Sequence, residues 1–257
     1  MKGINVYMKR HLIFTVVCCL SSVALFAQSA GNARASKAKL SSRITLDGYY
    51  QTGNTEKTNV SGSVFMSAID SVKEFSANGK FLYGENNRMV NQREYIAGIQ
   101  YDYHPLADFS PFVRFEFYNN EFKQINGRYA GLAGAKYRYY VKPDISDFSI
   151  SAAVLFDLEH YTADANLPNK ERWRISVRPK FKQNLTEDIS LVAEVYYKPN
   201  LADFNDYIVH GIFNLNVRVF KKGLLRLSYE YEYNNRPATN RVQKTDALLL
   251  AGFGIEL

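Results

Sequence analysis

The chain has 257 residues, of which 46% are hydrophobic and 22% charged, and its formal net charge is +7. This length accommodates one large β-domain or two ordinary domains, and a modest basic excess does not require a nucleic-acid partner. Both cysteines, Cys18 and Cys19, lie within the first thirty residues. The remainder of the chain therefore has no thiol for a disulfide, for catalysis or for a thiolate metal site.

The N-terminal segment has the features of a secretory signal peptide. A basic start precedes an apolar run at 12–26, which is too short to span a bilayer as a stable helix. The end of that run fits the small-x-small cleavage rule, so we predict cleavage after Ala27, with Met1 or Met8 as the start. An uncleaved anchor is the alternative. Residues 28–42 are rich in small and basic residues, and we interpret them as a flexible tail.

Apolar and polar residues alternate through the remaining segment, 43–257. In the stretch 225–233 every odd position is apolar or aromatic and every even position is polar or charged. A β-strand with one apolar and one polar face has this pattern, and no helical period persists anywhere. We therefore predict an all-β domain with twelve strands, at 43–52, 57–68, 74–84, 91–103, 110–120, 128–141, 147–160, 171–183, 189–198, 206–220, 223–234 and 245–257.

Three features favour an interior lined by the polar face. Twelve strands would leave an oversized interior in a soluble barrel with an apolar lining. Tyr and Phe concentrate near the strand ends, as in membrane girdles, and short connections alternate with longer ones. The sequence thus predicts a closed, antiparallel, up-and-down transmembrane β-barrel in a Gram-negative outer membrane, with short turns and both termini in the periplasm.

Charged residues of the polar face should line the lumen. Turning them toward lipid would cost about 2–4 kcal/mol for each Arg or Lys near the midplane. They could form a conduit that selects polar solutes, or a network of ion pairs that fills and rigidifies the lumen. The predicted lining comprises Arg114, Glu116, Arg138, Asp157, Glu159, Arg174, Arg178, Glu194, Arg218, Arg226, Glu230 and Glu232.

The connections and one proline carry further predictions. Pro179 falls inside the predicted strand 171–183, where we expect a bulge. The longer connections include 85–91, 162–170 and 236–244. These loops would carry the function if the barrel acted by binding partners at the cell surface.

Catalysis has little support in the sequence. Outer-membrane phospholipases place a His two residues before a Ser, so that the imidazole can activate the hydroxyl. His104, His160 and His210 are followed at that distance by Leu, Thr and Ile. Carboxylates beside arginines form ion pairs more readily than metal sites, and we predict neither metal nor other cofactor. We predict a structural barrel or a small-polar-solute channel, with a lipid-modifying enzyme as the alternative.

Several segments resemble a bacterial outer-membrane family known as domain-of-unknown-function family 481, often labelled a salt-induced outer membrane protein. They are the hairpin Gly53-Asn54-Thr55, the loop 122–129 with the small-residue segment 130–134 after it, and the Pro-containing loop before the last strand at 245–257. The resemblance implies the same barrel over 43–257 and no established activity. The alternating end of the chain also resembles the signal read by the barrel-assembly machinery. We therefore expect outer-membrane lipids and that machinery as partners, and a monomer.

Overall fold

The computed structural model describes residues 38–51, 57–142, 145–240 and 242–257. Twelve antiparallel strands form a closed barrel in which each strand pairs with its neighbours in sequence and β1 pairs with β12, which confirms the predicted fold. No helix in these ranges is long and apolar enough to cross a membrane. The strands are β1 Lys39–Gln51, β2 Lys57–Ile69, β3 Lys73–Asn86, β4 Met89–Tyr103, β5 Phe109–Asn120, β6 Ile125–Lys142, β7 Ser146–Tyr161, β8 Lys170–Asn184, β9 Ile189–Pro199, β10 Tyr207–Phe220, β11 Gly223–Asn234 and β12 Thr245–Glu256.

The first strand begins earlier than predicted. Residues 39–42, which we assigned to the tail, pair with 66–69 of β2, and the hydroxyls of Ser41 and Ser67 lie 2.9 Å apart. The long β2 provides partners for these polar residues, so they extend the sheet despite the weak apolar pattern. The predicted signal peptide 1–27 lies outside the described residues, as does the Gly-Asn-Thr hairpin.

The connections at the two ends of the barrel differ in length. We call the end with the turns after β2, β4, β6, β8 and β10 the short-turn end, and the opposite one the long-loop end. The predicted loop 85–91 is wrong, because Asn87 and Arg88 alone connect β3 and β4. Both have a positive φ, 49° and 64°, as a two-residue hairpin turn requires. Arg rarely adopts that conformation, so a two-residue turn was not predicted at this position.

Pro179 does not form the predicted bulge. Val177 of β8 pairs with Tyr197 of β9, and Lys180 pairs with Glu194, so three steps on one strand match three on the other. The pairs between these two positions are missing, because proline has no N–H to donate to the ladder. Pro179 therefore interrupts the hydrogen bonding without shifting the register.

The outer surface is apolar in the middle and aromatic toward both ends. Side chains such as Leu46, Phe115 and Leu249 are 61%, 62% and 61% exposed. At the long-loop end the rings of Phe156 and Trp173 lie 5.0 Å apart. At the short-turn end aromatic residues also meet, with Phe220 and Phe253 at 5.7 Å. A continuous apolar exterior bounded by aromatic residues is the lipid-facing surface of a transmembrane barrel.

Candidate functional site

The polar face of the strands encloses a lumen that is largely filled by side chains. Asp47, Asp157, Glu159 and Arg174 are at most 4% exposed. No second layer of strands or helices covers the barrel wall within the described ranges. The atoms that cover these charged groups therefore lie inside the barrel, and the interior is the region where function must be sought.

The densest part of the lumen is a neutral cluster of three arginines and three carboxylates on β6, β7, β8 and the β9–β10 loop. Arg174 donates to Asp157 at 3.1 Å and to Asp206 at 3.0 Å. Arg128 contacts Glu159 at 2.5 Å. Arg128 and Asp206 were not predicted to line the lumen, since each is only the first residue of its predicted strand. The members of this cluster are Arg128, Asp157, Glu159, Arg172, Arg174 and Asp206.

Equal numbers of positive and negative groups make this cluster a cross-link and not a cation cage. No group of three or more His, Cys, Asp or Glu in the described residues is arranged to hold a metal ion. The paired charges join three strands to the β9–β10 loop. Breaking such a pair on one side leaves an uncompensated charge, which is strongly destabilising.

Asp206 attaches the β9–β10 loop to the barrel wall. Its partial burial opposes ionisation, but the hydrogen bond from the Asn200 amide at 3.0 Å and the guanidinium groups of Arg174 and Arg172 hold the pKa of Asp206 below its ordinary value of 3.8. A lowered pKa in the folded state contributes stability above the unfolded pKa. This stability is lost as the pH falls through the folded value.

We therefore expect the β9–β10 loop, residues 200–206, to stay docked at pH 5 and to loosen only below pH 3.8. The Asp206→Asn variant should loosen it at pH 7, with amide exchange faster by about tenfold or more, because a charge-assisted hydrogen bond is lost. Hydrogen exchange of the loop amides measures the effect. Asp203→Asn, at an exposed pair with Arg236, is the control. Loosening of the wild type between pH 7 and pH 5 would contradict the assignment.

A second buried pair lies where the barrel closes. Asp47 of β1 and Arg226 of β11 both pair in register with Gly252 of β12. The carboxylate accepts two hydrogen bonds from Arg226, one of them at 3.2 Å from Nε. A Cβ on Gly252 would lie 2.2 Å from Oδ1 of Asp47, so glycine alone leaves room for the carboxylate. We call this group the closure clasp.

Two lysines form ion pairs across the lumen. Lys80 of β3 donates to both carboxylate oxygens of Glu230 of β11 at 2.6 Å, with β2, β1 and β12 between these strands. At the long-loop end Lys123, in the 3-10 turn Glu121–Lys123, contacts Glu232 at 2.7 Å and Asp246 at 2.9 Å. The turn follows β5 and Glu232 lies on β11, on the opposite side of the ring. Lys123 therefore spans the mouth.

A further contact closes the same mouth. Thr239 of the β11–β12 loop donates to Oε1 of Gln124 at 2.8 Å. Burial disfavours the charged form of Lys123, but Glu232, Tyr118 and Asp246 hold its pKa above the ordinary value. Lys123 is thus a cation at all physiological pH values. We call Lys123 with its carboxylate partners Glu232 and Asp246 the mouth latch.

Two small cavities lie in the lumen. A cavity under the mouth latch has a volume of about 20 Å³, and a second cavity in the middle of the lumen has about 30 Å³. A cavity needs roughly 10–15 Å³ to hold one water molecule. The mid-lumen cavity is lined by Gln100, Phe112, Arg114, Glu116, Leu132, Ser151, Ala153, Ser176, Arg178, Tyr196 and Lys198.

Apolar residues also face the lumen, which the sequence analysis did not predict. Leu82, Leu155 and Leu250 are 3%, 4% and 1% exposed. Each lies an even number of positions from an inward charge on its own strand, as Leu82 does from Lys80 and Leu155 from Asp157. Their phase in the alternation was the signal that could have placed them inside.

The remaining predicted lining residues differ in their surroundings. Arg114 contacts Glu116 at 2.9 Å, and Glu194 contacts Lys180 at 3.0 Å. Arg138 pairs across the ladder with the buried Ser149 and makes no ion pair within the described residues. Arg218 lies at the short-turn rim, with its side chain 51% exposed and 3.6 Å from Glu256.

The three histidines among the described residues are dispersed. The ring of His210 faces the lumen and stacks on Tyr196 at 5.8 Å. His160 meets Tyr129 at 6.0 Å, and His104 lies in a turn against Tyr103. Among the described residues no serine or threonine hydroxyl is hydrogen-bonded to any of them, so the geometry offers no activated nucleophile of the Ser–His kind.

Solved structures to which the chain is similar include outer-membrane proteins. The NanC porin has a TM-score of 0.47 at 11% identity, over 83% of this chain and 97% of that chain. An outer-membrane channel from Pseudomonas putida F1 has 0.49 at 9% identity, over 88% and 98%. The translocator domain of the autotransporter NalP from Neisseria meningitidis has 0.42 at 12% identity, over 95% and 96%. All three TM-scores are below 0.5, so these are distant likenesses of overall fold at low sequence identity.

The sequence comparisons identify the family without assigning an activity. A search of curated proteins gives no match, and no enzymatic family is indicated. A family model described as protein of unknown function, DUF481, matches residues 44–257. This match confirms the resemblance noted in the sequence. The chain therefore belongs to the DUF481 family.

Proposed function

We propose that the protein is a non-enzymatic barrel of the Gram-negative outer membrane that passes small polar solutes through a narrow, gated lumen. The observation that supports this is the partial exposure of the charged groups in the middle of the lumen. Lys80 and Glu230 have side chains 17% and 20% exposed, and Arg114 and Glu116 have 22% and 29%. These charges are therefore accessible from the interior although the lipid-facing wall surrounds them.

The size and charge of the lumen limit what could pass. The cavities of about 20 and 30 Å³ hold roughly one or two water molecules each. Large solutes are excluded unless the ion pairs across the lumen separate. Because positive and negative groups are paired, no single strong electrostatic field extends along the lumen. Selectivity among solutes would therefore come from local sites.

Location and orientation are part of the proposal. A signal peptide cleaved after Ala27 would export the chain, and β1 and β12 place both ends of the barrel at the short-turn end. In outer-membrane barrels short turns face the periplasm. We propose the same orientation here, with the mouth latch at the cell surface. The barrel would act as a monomer, inserted by the assembly machinery and surrounded by outer-membrane lipids.

Planar-bilayer recording of the purified barrel tests the proposal. We expect small conductance steps that are rare at rest, because the mouth latch closes the pathway. Heat-modifiable gel mobility first establishes that the barrel is folded. If neither the wild type nor a variant without the latch cation conducts, the channel proposal is wrong.

A structural role is the second candidate. It is favoured by the neutral cluster around Arg174, which is only 3% exposed and cross-links three strands and a loop. A barrel of this kind would not conduct, and its loss would weaken the envelope instead. The surface-interaction alternative has less support, since two residues replace the predicted loop 85–91.

A further inference from the structure

The mid-lumen cavity has more positive than negative groups in its lining. Arg114, Arg178 and Lys198 border it, and Glu116 is the one carboxylate among its lining residues. Three cations and one anion leave an excess of two positive charges. Charged groups enclosed by a protein are normally paired, so this lining favours an anion in the cavity.

The cations differ in how far the protein itself satisfies them. Arg114 is committed to Glu116, with Nε at 3.1 Å and Nη2 at 2.9 Å from the carboxylate. Arg178 donates from Nε to Ser151 at 3.2 Å and from Nη1 to the Tyr196 hydroxyl at 3.4 Å. Its Nη2 has no partner in the part of the chain that the structure describes. Arg178 therefore retains a free donor.

Of the three cations that border the cavity, Lys198 has the fewest polar contacts with the protein. Its ammonium group makes no hydrogen bond or ion pair with any described residue and lies over the Tyr196 ring at 5.2 Å. The guanidinium of Arg178 lies 5.6 Å from the centroid of the same ring. One aromatic ring thus holds two cations close to the cavity, although two like charges repel each other.

Carboxylates near the cavity are already engaged. Glu194 is 3.8 Å from Arg178 but is closer to Lys180, at 3.0 Å. Asp102, on the strand that carries Gln100, lies 3.6 Å from Lys136. Neither neutralises Lys198. The unbalanced charge therefore belongs to Arg178 and Lys198 together.

From this we infer that the cavity binds the carboxylate group of a small solute between Arg178 and Lys198. Its volume of about 30 Å³ accommodates about two water-sized atoms, which is the number of oxygens in a carboxylate. The free Nη2 of Arg178 and the ammonium of Lys198 supply charge-assisted donors to those oxygens. The inference rests on the proposed channel function, for which it defines a solute class, small monocarboxylates.

Calorimetric titration of the detergent-purified full-length barrel with acetate tests the site independently of conductance. We expect saturable binding to the wild type. Binding should weaken by about tenfold or more in Lys198→Gln and in Arg178→Gln, because each loses one charge-assisted contact. Lys198→Arg, which keeps the charge, should retain binding. Arg138→Gln removes a lumen-side cation that has no ion pair and lies outside the cavity, and it should bind like the wild type.

Competing ions and parallel recordings distinguish the outcomes. Chloride or phosphate binding as tightly as acetate would overturn the carboxylate assignment, and equal weakening in Arg138→Gln would show a diffuse charge effect instead of a site. If the wild-type barrel conducts but does not bind acetate, the carboxylate site is wrong and the channel function stands. Acetate binding to a barrel that never conducts would support the site and contradict the channel function.

Discussion

Replacing Asp47 with alanine is expected to destabilise the barrel by about 3–5 kcal/mol, the usual cost of removing one partner of a buried ion pair. The side chain of Asp47 has 0% exposure and that of Arg226 has 15%. Alanine would leave the largely buried guanidinium without its carboxylate partner. The variant should weaken the place where the first and last strands pair to close the barrel. Asp47 lies on β1 and its partner Arg226 on β11, with β12 between them.

Gly252→Ala should disrupt the same clasp from the other side. The added Cβ would lie 2.2 Å from Oδ1 of Asp47, 2.4 Å from the backbone oxygen of Leu46 and 2.5 Å from the Cα of Asp47. Two of these contacts are with backbone, which cannot rotate away. We expect β1 and β12 to separate locally, with a loss of stability comparable to that of Asp47→Ala.

Urea unfolding in detergent, followed by heat-modifiable gel mobility, measures both variants. The double variant Asp47→Leu with Arg226→Met is the control, because replacing both partners by apolar residues of similar size is often nearly neutral. Recovery of stability in the double variant would show that the cost comes from the unpaired charge. Unchanged stability of Asp47→Ala would show that the clasp does not hold the barrel closed.

The closure clasp also shows what the sequence could and could not indicate. Alternation along β11 placed Arg226 inside and Leu225 and Leu227 outside, and the latter two are 50% and 45% exposed. That division follows from strand geometry alone, so the fold was predictable strand by strand. The partner of Arg226 was not, because Asp47 is distant in sequence and the contact depends on which strands close the ring.

Other features of the lumen were hidden for the same reason. Lys123 lies in a connection, where no periodicity assigns a direction, and its partners Glu232 and Asp246 are on the opposite wall. Lys198 is the penultimate residue of β9, whose ladder with β8 is interrupted at Pro179. Periodicity fixes the face on which a residue lies, but charge pairing across a barrel depends on strand register and on loops that fold inward. The candidate site therefore required the three-dimensional structure.

Removing the latch cation is expected to open the mouth. Lys123→Ala eliminates charge-assisted contacts to Glu232 at 2.7 Å and to Asp246 at 2.9 Å and leaves two carboxylates facing each other. Such contacts contribute about 1.5–3 kcal/mol, so the open population should rise by roughly tenfold to a hundredfold. Single-channel recording would show this as a higher open probability with a preference for cations.

The neighbouring ion pair of the same turn provides a matched control. Arg93 contacts Glu121 at 2.9 Å from the outside, with both side chains well exposed, at 37% and 56%. Exposed pairs contribute little, so Arg93→Ala should leave the open probability within about twofold of the wild type. Equal effects of Lys123→Ala and Arg93→Ala would mean that the turn as a whole, and not the latch, controls the mouth.

A crosslink across the mouth should reverse the effect of the missing cation. Gln124 and Thr239 meet at 2.8 Å, and the two native cysteines, Cys18 and Cys19, lie in the segment whose cleavage we propose. Cysteines introduced at positions 124 and 239 would then be the reactive pair. Joining them with a short bis-maleimide in the Lys123→Ala background should return the open probability to that of the wild type. If the crosslinked barrel continues to conduct, solutes bypass the mouth, and the latch is a structural contact instead of a gate.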